Sequence, residues 1–156
     1  MENLNIYVSK KYKSLYNSKR DFEAIFNHIH DQGNRIFCEY FEMCCKKSVS
    51  YDAFKKYCYK AANYLKDCIS LEKGEYVGLY LENSTNWVAC FWGLLMNGVK
   101  PVLLNCKMPI NMTNEIINLL SIKKVICGTS LENHELNASK LVVSDKIQLW
   151  DEISNY

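Results

Sequence analysis

Between Val49 and Cys127, two periodicities of apolar residues alternate along the chain. Apolar residues at steps of three and four predict amphipathic helices, whereas short runs rich in aromatic and β-branched residues predict strands. Because a short hairpin cannot join parallel neighbours, strands that alternate with helices predict parallel pairing through right-handed crossovers. The expected fold class is therefore α/β, a parallel βαβ sheet flanked by helices.

The helical pattern occurs in four segments, and a fifth helix is expected from Ile147 to Ile153 near the end of the chain. Their ends are predicted from side chains that cap a helix and from a glycine that allows a left-handed stop. The residues expected to begin or end these helices are Asp21, Ser50, Asn83 or Ser84, Gly98 and Thr113.

Four segments have the composition of strands. They are Tyr76 to Leu81, Lys100 to Leu104, Lys123 to Cys127 and Lys140 to Ser144. Pro101 is tolerated because it stands at the start of its strand. The polar run from Ser130 to Ser139 is the candidate linker.

Composition and charge exclude several classes of protein. With 49% hydrophobic and 23% charged residues, the 156-residue chain suits one folded globular domain. The net charge is +2, and only the N-terminal arm around Lys10 and Lys11 is locally basic, so no nucleic-acid partner is expected. The longest apolar run, Trp87 to Met96, is too short for a membrane span, and the expected location is the cytoplasm.

The eight cysteines contain no CxxC pair, so the strongest zinc signature is absent and no metal site is expected. Cys58, Cys68 and Cys90 fall on the apolar faces of predicted helices, and Cys127 closes a predicted strand. We expect these four to be buried structural thiols in a reducing compartment. His134 lies in a polar loop, and no cysteine has a recognisable catalytic context.

A phosphate-binding loop needs closely spaced glycines, because backbone amides must approach the anion. The chain has six glycines and contains neither GxGxxG nor a P-loop. Gly128-Thr129-Ser130 follows a strand but lacks the further glycine and lysine, which favours an ordinary strand-end turn.

Six segments nevertheless resemble the opening of the acyl-adenylate-forming (AMP-binding) enzyme superfamily, in the order and spacing of that family. They are Val49–Phe54 (VSYDAF), Gly74–Leu79 (GEYVGL), Asn83–Trp87 (NSTNW), Leu94–Val99 (LLMNGV), Leu104–Asn105 and Lys124–Ile126. Leu103 and Cys106 stand where many relatives have prolines. Asn105, where peptide-synthetase relatives have Asp, favours the acyl-CoA-synthetase branch.

The resemblance implies an enzyme that joins a carboxylate to ATP and then passes the acyl group to coenzyme A or a carrier phosphopantetheine. ATP, Mg²⁺ and the thiol are therefore implied for a complete parent enzyme. The family's phosphate loop, metal-binding acid and mobile lysine lie downstream of the part present here, so no catalytic residue is assigned. Trp87, Gly98 and Asn105 are interpreted as packing and turn positions.

On this basis, residues 1–46 are expected to form an N-terminal arm and helix, and residues 47–156 a partial AMP-binding subdomain. The expected partners are the missing C-terminal portion, an intact relative or a second copy. Two alternatives remain open: a noncatalytic interaction domain derived from the same fold, and a small α/β nucleotide or ligand binder. The latter would have its site at the carboxyl ends of strands near Asn83, Asn105 and Thr129.

Overall fold

The computed structural model describes Lys13 and residues 22–42 and 44–143. These residues divide between two compact units, the first ending at Lys55 and the second beginning at Lys56. The basic N-terminal arm, the predicted helix start at Asp21 and the predicted helix from Ile147 to Ile153 lie outside the described residues. The expected domain boundary between residues 46 and 47 stays a prediction. Among the described residues, no helix combines the length and apolar character that a membrane crossing requires.

The first unit contains a helix and a β-hairpin. Helix α1 (Phe22–His30) is followed by two antiparallel strands, β1 (Ile36–Glu42) and β2 (Cys45–Ser50), and by the beginning of α2 (Tyr51–Cys68). Its core is aromatic: Phe37 stacks on Phe54 at a ring separation of 3.9 Å, and His30 lies 4.2 Å from Phe26. The sequence did not predict this hairpin.

The second unit is built on a four-stranded sheet in the order β4-β3-β5-β6. The strands are β3 (Tyr76–Tyr80), β4 (Lys100–Leu103), β5 (Lys124–Gly128) and β6 (Ser139–Val143). All three pairings are parallel, and Pro101 of the edge strand β4 lies opposite Val77 of β3. The α/β class and the parallel pairing predicted from the sequence are confirmed.

Helices lie on both faces of this sheet. On one face, Val77, Leu79 and Ile126 pack with Leu65 of α2 and Leu94 of α3 (Thr85–Met96). On the other face, side chains of β3 and β5 pack against α4 (Ile110–Leu119) and against the segments that flank β5. The strands contribute Tyr80, Val125 and Cys127, and their partners are Ile117, Ile122 and Leu131. The two central strands, β3 and β5, are thus buried on both faces by elements of this chain.

The predicted helix ends are mostly confirmed. The Ser50 and Ser84 hydroxyls accept hydrogen bonds from the backbone N–H groups of Ala53 and Trp87, each at 3.2 Å. Gly98 follows α3 with a φ of +73°, the left-handed conformation expected of a helix stop.

Three sequence predictions are wrong. Thr113 does not begin a helix, because α4 starts at Ile110 after the N-cap residue Pro109; Thr113 is buried, and its hydroxyl donates to the Pro109 carbonyl at 3.4 Å. Cys68 is exposed at the end of α2, whereas Cys58, Cys90 and Cys127 are buried as predicted. The proposed linker from Ser130 to Ser139 also carries a short 3₁₀ helix and belongs to the second unit.

Candidate functional site

The strand order places a topological switch point between β3 and β5, at the carboxyl edge of the sheet. From β3 the chain crosses to β4 on one side, and from β5 it crosses to β6 on the other. The loops after β3 and β5 therefore separate, which is the arrangement that opens ligand crevices in parallel α/β sheets. Because the strands are parallel, the residues that follow β3, β4 and β5 all lie at this edge.

A cleft of about 570 Å³ lies at the ends of β3 and β4. Its lining combines an apolar floor with polar side chains from the two loops, and consists of Leu81, Glu82, Asn83, Trp87, Leu103, Leu104, Asn105, Cys106 and Lys107. The cleft brings together Asn83 and Asn105, two of the three positions that the sequence placed in a candidate site. Thr129, the third, does not line it.

Local hydrogen bonds and ring contacts fix two of these side chains. Asn105 Oδ1 accepts a hydrogen bond from the Lys107 backbone N–H at 2.9 Å, which closes the turn after β4. The Trp87 ring lies parallel to that of Phe91 at 5.7 Å and belongs to the periphery of the core. The described geometry thus gives Trp87 and Asn105 packing and turn contacts, and both also face the cleft.

The charges of the cleft do not suit a triphosphate. Its described lining includes one cation, Lys107, and one carboxylate, Glu82, but no glycine. Binding of a phosphate chain needs several converging amides or cations, and usually Mg²⁺. The residues present therefore do not fit ATP and Mg²⁺ by themselves, and no catalytic step is derived from them.

On the other side of β3, a partly buried hydrogen bond joins strand and loop. The Tyr80 hydroxyl lies 2.8 Å from Nδ1 of His134, and the Tyr80 side chain is fully buried. Burial raises the pKa of Tyr80, and the neighbouring Cys106 and Cys127 thiols raise it further. The phenol consequently stays protonated and can donate to the imidazole. Sequence reasoning missed this contact, because the two residues are 54 positions apart.

Two of the buried thiols, those of Cys58 and Cys90, are unreactive near neutral pH. Burial raises the pKa of Cys58 and raises that of Cys90 to about 12, so neither forms a thiolate near neutral pH. Among the side chains that the structure describes, no three His, Cys, Asp or Glu residues come together as a metal site.

Comparison with solved structures identifies the fold. The structure is similar to O-succinylbenzoate coenzyme A synthetase (MenE) from Bacillus subtilis, in complex with AMP, with a TM-score of 0.66 and 20% identity over 84% of this chain. It is also similar to the N-terminal subdomain of Klebsiella oxytoca NpsA, with a TM-score of 0.64 and 19% identity over 81% of this chain. A third similar structure is holo-AB3403, a four-domain nonribosomal peptide synthetase bound to AMP and glycine, with a TM-score of 0.63 and 20% identity over 88% of this chain.

The match covers only part of those proteins: 32% of the synthetase chain, 32% of the NpsA chain and 10% of the peptide synthetase chain. No significant match was found among curated proteins. The sequence profile described as "AMP-binding enzyme", however, matches residues 26–153, which is most of the chain. The chain therefore belongs to the AMP-binding enzyme family and has the fold of the N-terminal subdomain of adenylate-forming enzymes.

Proposed function

We propose that these residues form the N-terminal part of an ATP-dependent acid–thiol ligase. Such an enzyme converts a carboxylate and ATP into an acyl-adenylate and pyrophosphate, and then transfers the acyl group to coenzyme A or a carrier phosphopantetheine. The observation that carries the proposal is the family match over residues 26–153, and the shared fold of the subdomain supports it. Asn105 favours the acyl-CoA-synthetase branch.

In this proposal the described residues have a structural role and contribute no catalytic group. The complete enzyme would bind ATP, Mg²⁺ and the thiol, and its phosphate-binding amides and metal-binding acid would come from outside the 156 residues present here. The described residues would hold the carboxyl edge of the sheet in place beside those groups. We therefore expect no activity from the isolated chain.

The first experiment is the intact mass of the native protein in its source cells, detected with an antibody against residues 26–153. The protein immunopurified by that antibody is then assayed for ATP–pyrophosphate exchange with a panel of carboxylic acids. The proposal expects a mass well above 18.2 kDa and exchange that requires both Mg²⁺ and one class of acid. Absence of acid-dependent exchange from the purified native protein would contradict it.

Exposed apolar side chains in β4 and α4 are candidate contacts for the rest of such an enzyme. Leu103 at the end of β4 is 54% exposed, and Ile110 and Met112 in the first turn of α4 are 37% and 48% exposed. Exposed apolar side chains are available to pack against another part of a protein. We propose that the C-terminal portion of the ligase covers the surface that carries Leu103, Ile110 and Met112.

This attachment is testable with charge substitutions. Leu103→Lys and Met112→Lys should weaken the complex between this chain and a separately expressed C-terminal portion. The matched control is Leu119→Lys, at a position that is 82% exposed on the last turn of α4. If all three variants lost binding equally, or if none of them lost binding, the result would argue against this surface. Self-association of the isolated chain that Leu103→Lys abolishes would instead assign the surface to a second copy.

The cleft supports a second candidate, a noncatalytic module that binds a small ligand. Asn83 and Asn105 face one cavity, and Trp87 adds an aromatic wall. Calorimetry of the isolated chain with nucleotides and small carboxylic acids tests this function. Saturable heat that Asn83→Ala reduces would favour the binding module, whereas no heat with any of these ligands would count against it.

A further inference from the structure

Two adjacent cysteines occupy the tip of the hairpin in the first unit. The last paired residues of β1 and β2 are Glu42 and Cys45, and Cys44 lies in the turn immediately before β2. Cys44 and Cys45 are both exposed, and so are the next three residues of β2. The hairpin therefore presents two neighbouring thiols to solvent.

The backbone of Cys44 is unusual for its residue type. Its φ is +63°, in the left-handed region that glycine and asparagine normally occupy in tight hairpin turns. A cysteine at this position carries a conformational cost that either of those residues would reduce. Residues held in such conformations are good candidates for a function.

The spacing of the two residues favours a bridge of three atoms over a direct disulfide. Their peptide bond is trans, which places the two Cα atoms about 3.8 Å apart. Relaxed disulfides need a Cα separation of roughly 4.4–6.8 Å, so direct oxidation of this pair would be strained. A larger thiophilic atom inserted between the sulfurs lengthens the bridge and relieves that strain.

We propose that Cys44 and Cys45 form a binding site for trivalent arsenic. With an arsenoxide, each thiol forms one As–S bond, and the two thiol protons leave with the oxide oxygen as water. Arsenic remains trivalent and no sulfur is oxidised, so the step needs no further reactant. The site acts as a chelate, and both thiols are required for tight binding.

The other cysteines of the hairpin and of α2 provide controls. Cys38 lies four residues before Glu42 on β1, about 13 Å away along the strand, too far to share one arsenic atom with Cys45. Cys68 is exposed but has no cysteine beside it in the sequence. It reports how a single accessible thiol reacts.

The test is a titration of the native full chain with phenylarsine oxide, followed by counting of rapidly reacting thiols with Ellman's reagent. The wild type and the Cys68→Ser variant should each lose two fast thiols and gain one phenylarsenic group by intact mass. Cys44→Ser and Cys45→Ser should bind at least about 100-fold more weakly, because each removes the chelate. A dithiol, but not a monothiol at equal concentration, should reverse the binding.

Three outcomes would overturn the proposal: weak binding by the wild type, tight binding by Cys44→Ser, or loss of tight binding in Cys38→Ser. Far-UV circular dichroism of each variant verifies that the exposed substitutions leave the fold intact. These readouts do not depend on ligase activity, so the proposed enzymatic function can fail without affecting them.

Discussion

Gly93 of α3 lies directly against the backbone of Ala62 in α2: a Cβ atom at position 93 would be 3.0 Å from the Ala62 nitrogen and 3.2 Å from its Cα. Nearby, the Asn97 side-chain amide donates to the carbonyls of Ala62 and Gly93, at 2.8 Å and 2.9 Å. The hydrogen bond to Ala62 depends on the close approach of the two helices. A side chain at position 93 would separate them.

We therefore predict that Gly93→Ala lowers the free energy of unfolding by about 1–3 kcal/mol, the usual cost of overpacking. Helix propensity alone would make Gly93→Ala more stable by about 1 kcal/mol. A loss of stability would therefore show that the clash between the helices outweighs the gain in propensity. Urea denaturation followed by circular dichroism measures the difference. Adding Ala62→Gly should not rescue the variant, since the clash is with backbone atoms; a more stable Gly93→Ala would show that the helices have room.

Gly98 should be sensitive for a different reason. A Cβ there would meet only the Lys73 side chain, at an ordinary 3.4 Å, but φ is +73°. Gly98→Ala should lower the free energy of unfolding by about 1–2 kcal/mol, because an alanine pays for the left-handed conformation. Gly98→Asn is the control and should cost less, since asparagine tolerates this region better. Equal thermal denaturation of all three proteins would contradict the conformational explanation.

The ion pair between Glu75 and Lys124 should contribute more than a surface pair. Lys124 Nζ lies 3.0 Å from both Glu75 carboxylate oxygens and also donates to the Ser70 carbonyl, and the two side chains are only 16% and 23% exposed. A double-mutant cycle with Glu75→Gln and Lys124→Met should give a coupling energy of about 1 kcal/mol.

The matched control for this cycle is the ion pair between Glu39 and Lys46 of the hairpin. Lys46 Nζ lies 2.8 Å from Glu39 Oε1, but the Glu39 and Lys46 side chains are 43% and 57% exposed. Its coupling energy should be below about 0.5 kcal/mol, and it should vanish in high salt. Equal coupling for the two pairs would mean that burial does not strengthen the Glu75–Lys124 contact.

His30 should make the stability depend on pH. Burial lowers its pKa below the ordinary 6.5, and Lys55 lowers it further, although the hydrogen bond to the Phe26 carbonyl partly opposes this. Below pH 6.5 the unfolded chain therefore takes up a proton that the folded chain refuses. The contribution of neutral His30 is complete above pH 6.5 and is lost as the pH falls through the lowered pKa of the folded state.

We expect the free energy of unfolding of the wild type to fall between pH 7 and pH 5, by at most about 1.4 kcal/mol per pH unit for this one group. Chemical denaturation across that range measures the slope. His30→Phe should flatten it, whereas His28→Gln, two residues away on α1, should not. An unchanged slope in His30→Phe would assign the pH dependence to other groups.

Much of the second unit could be predicted from sequence because its signals are local. The Ser84 cap, the Gly98 stop and the apolar strands each depend on a few neighbouring residues, and parallel pairing follows from their alternation. Thr113 was misleading because threonine is a common N-cap residue. The actual N-cap is Pro109, and the helix begins at Ile110, about one turn before the predicted start. The hairpin was missed because β2 is nearly all exposed and lacks alternating apolar residues.

The candidate site was only partly predictable, since it depends on strand order. Sequence could indicate that Asn83, Asn105 and Thr129 all follow strands and so share one edge of the sheet. It could not show that β4 and β5 lie on opposite sides of β3, which places Thr129 outside the cleft that contains the two asparagines. The contact between Tyr80 and His134 was out of reach for the same reason.

Pro101 gives β4, the edge strand of the sheet among the described residues, an additional property. The backbone N–H groups of Lys100 and Leu104 donate to the backbone carbonyls of Glu75 and Leu79, on the side of β3. Because backbone N–H groups alternate in direction along a strand, the nitrogen of Pro101 faces away from β3. Because that nitrogen carries no hydrogen, an incoming strand would lack a donor there. Edge-to-edge growth into amyloid-like ribbons is thereby discouraged, even though the side chains beside it remain open to a folded neighbour.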